Sequence, residues 1–189
     1  MSIIETVNED DATGVLAECY AGDLKELGYV SSYTRVMSVN PEAYLAWMGL
    51  VRAIVPQLGK RRYELVTLAA AQGVHSETCR LAHGRKSLSL FDEEQLVRIA
   101  ADYRDADLSE AEVAMMEFAE RVSRDSPSMT EADSLRLREL GFSDREIVDI
   151  TLAAAARNYF SRALQALAVE PDVPPGLSDR LRTALLAPL

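Results

Sequence analysis

From Leu65 to Ala71 the chain reads Leu-Val-Thr-Leu-Ala-Ala-Ala, with no charged residue on any side. A helix built from such a run has no face for water, so other elements must jacket it. The remainder of the sequence supplies helices for that purpose. Val15, Leu16, Cys19, Tyr20, Leu24 and Leu27 recur at helical spacing, and Gly28 stops the run. Asn40-Pro41-Glu42 combines a capping side chain, a proline at the first helical position and a first-turn acid. The helix it opens carries Tyr44, Leu45, Trp47, Met48, Val51 and Ile54, and is expected to end at Pro56–Gly59. Ser109 and Thr130 start two further helices, and Ser143-Asp144-Arg145-Glu146 is a capping box that opens the longest one, about 144–169. The small residues Ala153 to Ala156 within it invite close approach by another helix. A last short helix covers about 177–186. No stretch alternates with period two between turn signals, so no sheet is expected. The predicted fold is all-α: a bundle of eight to ten helices forming a single domain over 1–189, with its core at about 11–172 and a C-terminal extension at 173–189.

Charge and composition narrow the function. Thirty acidic against twenty basic side chains leave a net charge of −10, a field that repels nucleic acid and anionic membranes. Two cysteines are too few for a disulfide framework, the N-terminal residues lack a secretory pattern, and no apolar run is long enough to span a bilayer. The expectation is a cytoplasmic protein with reduced thiols.

Chemistry concentrates between Tyr63 and His83, which hold both histidines and one cysteine. Gly73-Val74-His75 breaks one helix and Ser76 caps the next, which makes Cys79 the third helical residue. There, free backbone N–H groups and the helix dipole favour a thiolate. His83 lies one turn further on the same face. Glu64, at the edge of the apolar run, must find a partner, take up a proton, or sit at the surface against Arg61 or Arg62. Cys19 belongs to an apolar stripe and reads as a small buried hydrophobe. Trp47 and Met48 read as core. Lys60-Arg61-Arg62 reads as a solvated face, with steering of an anionic substrate as the alternative. Two histidines and two cysteines at these spacings make no metal shell, and no glycine-rich phosphate loop is present, so neither metal nor cofactor is expected.

The spacing Glu64, Ser76, Cys79, His83 resembles the Glu, Cys-x-x-Cys, His pattern of the AhpD-like alkylhydroperoxidases within the carboxymuconolactone decarboxylase superfamily. Cys79-Arg80-Leu81-Ala82-His83 is similar to the family's peroxidase-related branch. So are the flanks Asn40-Pro41-Glu42, Trp47, Gly141-Phe142-Ser143-Asp144 and Asn158-Tyr159-Phe160-Ser161-Arg162. The likeness spans about Asp11 to Asp172. It implies that Cys79 attacks a hydroperoxide, that His83 helps deprotonate it, and that Glu64 ends the proton relay. Ser76 stands where the family has its other, resolving cysteine, so a thiol reductant from outside is implied in place of an internal disulfide. The resemblance also implies a homodimer or higher oligomer. Two other readings stay open: a lactone decarboxylase using His83 as acid and base, and an inactive helical scaffold.

Overall fold

The computed structural model describes residues 2–187. Ten α-helices and three short 3-10 turns make up the regular structure, and no strand occurs among the described residues. The fold class expected from the sequence is the one found.

Helix α4 (Lys60–Gly73) is the axis. Every residue from Tyr63 to Ala71 is buried along it, as the uninterrupted apolar run requires. It packs against α3 (Pro41–Leu58), α5 (Glu77–Ser87), α7 (Glu110–Asp125) and α9 (Asp144–Ala166). The capping signals act as expected: the Asn40 side chain accepts from the Ala43 amide, and Ser109–Glu112 and Ser143–Glu146 close reciprocal capping boxes. The end of α3 falls within its expected span, at the far side of the proline. Helix α3 runs through Pro56 to Leu58 and stops at Gly59, whose φ is 81°. Pro56 is exposed and lies in the last turn, so its missing N–H costs α3 one hydrogen bond near its end and the helix survives it.

The small run in α9 is used inside the protomer. Ala153, Ala154 and Ala156 are buried on the helix that crosses α3, α4 and α7. Outside this centre, α1 (Gly14–Leu27) rests on α2 (Ser32–Met37) and α3, and α8 (Glu131–Glu139) on α7 and α9. The C-terminal segment forms α10 (Asp179–Leu186), which packs on α5 and α6 (Glu93–Asp102), with Leu181 and Leu185 buried. Arg80, next to Cys79 in sequence, fixes this docking. Its guanidinium donates to the carbonyls of Ala187 at 2.9 Å, Ala100 at 3.0 Å and Ala184 at 3.2 Å.

Gly73 sets how closely α7 approaches α4. A Cβ there would lie 2.6 Å from the Glu120 carbonyl oxygen and 2.8 Å from Ser123 Cβ. Gly73→Ala is therefore expected to force the two backbones apart and cost about 1–3 kcal/mol. The midpoint of urea unfolding reads this directly, and an unchanged midpoint would show that the pair yields without strain.

Two apolar clusters result. The larger surrounds α4; the smaller joins α1, α3, α5 and α9 and holds Cys19, Cys79, Tyr44, Phe160 and Leu164. Cys19 is buried there as a hydrophobe, and burial, helped by Glu18 and Asp23, pushes its thiol up. Cys79 sits where the smaller cluster meets a cavity.

Candidate active site

The turn after α4 delivers α5 to this cavity. His75 takes φ 53° to reverse the chain, the Ser76 amide bonds back to the Ala71 carbonyl, and α5 begins at Glu77. Ser76 is buried, and its hydroxyl accepts from the Cys79 amide at 3.4 Å. It thus serves as the N-cap of the helix that carries the sulfur. Cys79 is 2 % exposed.

The polar contacts of Cys79 come from α9. Ser161 Oγ lies 3.2 Å from Sγ, and Arg157 Nη1 donates to Sγ at 3.5 Å. Arg157 Nη2 donates to the Tyr63 hydroxyl at 3.3 Å, while its Nε–H is buried with no partner among the described residues. Arg157 is 3 % exposed, and no carboxylate among the described residues makes an ion pair with it. Burial works against its charge, yet the sulfur and phenol beside it hold its pKa above the usual range. A buried guanidinium whose direct contacts are a phenol and a thiol, with the Glu64 carboxylate only at longer range, is an incomplete charge pair, and an anionic sulfur completes it.

His83 and Glu64 form the second half of the site. Nδ1 of His83 is 2.6 Å from Oε2 of Glu64, and both side chains are buried. Burial, and then the charge of Arg157, push His83 down to about 4 against the opposing pull of Glu64. Burial disfavours the Glu64 carboxylate, but His83, Lys86 and Arg157 together hold it below its ordinary value. At neutral pH the ring is uncharged and its proton resides on Nδ1, donated to the carboxylate. Nε2 is then a free base. Glu64 does not pair with Arg61 or Arg62: those bind Glu112 at 2.7 Å and Glu146, respectively.

The four residues singled out in the sequence thus occupy one region, in two groups. Glu64 and His83 are bonded to each other, and Ser76 is bonded to the Cys79 backbone. Arg157 and Ser161, which touch the sulfur itself, were not singled out. They lie 78 and 82 positions from Cys79, on another helix, and no local spacing links them to it. The one available signal was an arginine directly after the small residues of a long helix, where a surface cation is out of place.

Glu64, Cys79, His83 and Arg157 all line a cavity of about 690 Å³. Tyr33, Tyr44, Trp47 and Phe160 give the same cavity an aromatic wall. The Trp47 and Phe160 rings stack with centroids 4.2 Å apart, and Arg157 lies 5.7 Å above the Trp47 ring. Trp47, read from sequence as core, is half-buried and faces this space, with its indole N–H donating to the Ala156 carbonyl at 3.2 Å.

The same architecture occurs in solved structures. An AhpD-core, uncharacterised peroxidase-related protein from Ralstonia eutropha JMP134 superimposes with a TM-score of 0.80 at 22% identity, over 100% of this chain and 98% of its own. A peroxidase-related protein from Silicibacter sp. TM1040 gives 0.77 at 25% identity, over 90% and 92%. The chain has the AhpD-like fold. The debrominase Bmp8, solved as a cysteine-to-alanine variant with 2,3,4-tribromopyrrole, shares it with a TM-score of 0.76 at 16% identity, over 98% of both chains. No family model and no curated relative matches the sequence. The described residues contain no helix long and apolar enough to cross a membrane, and no cluster of three or more histidine, cysteine or carboxylate side chains that could hold a metal.

Proposed function

We propose that this AhpD-like chain is a one-cysteine peroxidase that reduces hydroperoxides through Cys79 and is recycled by a soluble thiol. The observation that carries the reading is the buried Arg157 guanidinium, 3.5 Å from the sulfur and without a carboxylate of its own. An ionised sulfur is the nucleophile in such chemistry, and this cation stabilises it. In the first step His83 Nε2, one helical turn away, takes the thiol proton, and Glu64 stabilises the imidazolium. The sulfur then attacks the terminal peroxide oxygen. The O–O bond breaks, the sulfur is oxidised to a sulfenic acid, and the departing alkoxide recovers the proton from His83. One molecule of exogenous thiol condenses with the sulfenic acid, releasing water and leaving a mixed disulfide. A second displaces Cys79 as thiol and departs as the oxidised disulfide. Ser76 cannot form a disulfide, so both reducing equivalents come from outside.

The test is to treat the reduced protein with one equivalent of hydroperoxide in the presence of dimedone and to locate the adduct by peptide mass spectrometry. The expected result is one adduct, at Cys79, formed within the time in which peroxide disappears. Peroxide loss without an adduct at Cys79 would overturn the proposal.

The aromatic wall favours a second reading, reductive debromination of a flat ring. Here the ionised sulfur attacks bromine, the ring carbon takes a proton, and a second thiol displaces bromide from sulfur. Release of bromide from 2,3,4-tribromopyrrole with excess thiol tests it. Bromide release without peroxide consumption would select this reading over the first.

A further inference from the structure

The chemistry at the sulfur requires only a peroxide oxygen, yet the cavity around it is far larger than hydrogen peroxide. Its mouth is also unlike the rest of the surface. In a chain with ten excess acids, most arginines are bound to carboxylates, as in Arg61–Glu112, Arg98–Asp107, Arg121–Asp133 and Arg145–Asp149. The cavity departs from that pattern. Arg52 and Lys60 line it, are exposed, and have no carboxylate partner among the described residues; Lys60 reaches only the Ser89 hydroxyl at 3.4 Å. Arg85 donates to the Pro175 carbonyl at 2.8 Å, again to no acid. Of the two acids there, Glu26 is bound to Lys86 at 2.9 Å, and Asp23, held by the Ser31 amide and hydroxyl at 2.9 and 2.6 Å, is a single charge against the three cations Arg52, Lys60 and Arg85. Uncompensated cations at the rim of an aromatic-walled cavity are the two halves of a site for an amphipathic anion.

We propose that the cavity binds a medium-chain organic carboxylate, with its apolar body along Trp47 and Phe160 and its carboxylate at Arg52 and Lys60. Resting on the peroxidase reading, this makes the substrate an organic hydroperoxide bearing a carboxylate, whose peroxide group reaches Cys79 from the far end. Of the Lys60-Arg61-Arg62 triplet, Lys60 alone serves this end, because Arg61 and Arg62 lie against Phe91 and Phe142 and are ion-paired.

Trp47 is the single tryptophan and faces the cavity, so its emission reports occupancy without any turnover. Decanoate and decanol are titrated against it at low ionic strength. Decanoate is expected to bind at least about tenfold more tightly, about 1.4 kcal/mol. That preference is expected to shrink in 0.5 M salt and to vanish in the Arg52→Gln/Lys60→Gln variant, while hydrogen peroxide consumption stays unchanged. Equal affinity for the two probes, or binding of neither, would overturn the proposal. Preferential binding of decanoate by a protein that consumes no hydroperoxide would retain the anion site and overturn the peroxidase reading instead, so the two failures are separable.

Discussion

Arg157→Met is expected to slow alkylation of Cys79 by iodoacetamide at pH 7 on the order of 100- to 1,000-fold, and to slow peroxide consumption in proportion, without unfolding the protein. The size follows from electrostatics. A unit charge pair about 4 Å apart interacts with about 4 kcal/mol at the effective dielectric of protein interiors, and each 1.4 kcal/mol is tenfold. The unusual part is the stability. Truncating one partner of a buried ion pair is ordinarily ruinous, because the other charge remains. Here the other partner is a thiol, which can take up a proton. Methionine fills the volume without a charge to desolvate, and it removes the unpartnered Nε–H. The melting temperature is therefore expected to hold or rise while reactivity collapses. Arg157→Lys keeps the charge but cannot span both Sγ and the Tyr63 hydroxyl, so its loss should be smaller. Alkylation of the methionine variant within threefold of wild type would show that the guanidinium is structural.

The second large effect concerns Glu64 and His83. His83→Ala removes the donor from a buried carboxylate and is expected to destabilise the fold by about 3–5 kcal/mol. Glu64→Gln in the same chain is expected to restore much of that, because a neutral amide tolerates burial better than an orphaned charge. A double variant no more stable than His83→Ala would refute the coupling. The same pair dictates the response to acid. The unfolded chain binds a proton at His83 near 6.5, whereas the folded protein binds it only near 4. Between those values the unfolded state carries more protons, so stability is full above pH 6.5 and drains away as the pH falls towards 4. Glu64, held below its ordinary value, adds a loss of the same sign once the pH drops beneath the unfolded carboxylate range. Urea midpoints at pH 7.0, 5.5 and 4.5 should decline in that order, and the decline between 7.0 and 5.5 should flatten in His83→Gln. A constant wild-type midpoint over that span would contradict the buried neutral ring.

Local signals made much of this molecule legible. The reciprocal caps at Ser109 and Ser143, the cap at Asn40 and the buried run of α4 are properties of short stretches, and the chain obeys them. The pitch between Cys79 and His83 is equally local. Glu64 was reachable through the family-like spacing, although its burial and its 2.6 Å bond to His83 depend on how α4 and α5 pack. What stayed hidden depends on helices brought together from afar. Nothing near Cys79 announces Arg157 or Ser161, since their role exists only because α9 packs on α4 and carries those two side chains to the sulfur. Trp47 was legible only in part. Its helical spacing fits its packing against the smaller cluster, but its place in the cavity lining depends on how the helices meet. The alanines of α9 do what their size invites, admitting neighbouring helices inside the chain.

Cys79 and Arg80 are adjacent, and two of the three carbonyls that hold the Arg80 guanidinium belong to Ala184 and Ala187, at the end of α10. A protease nick ahead of Ala184 would strip those acceptors away. Left with the Ala100 carbonyl alone, the guanidinium would turn towards water and loosen the first turn of the helix that carries Cys79. The tail is thus a keel for that sulfur, and clipping it should slow alkylation of Cys79 without removing any residue that lines the cavity.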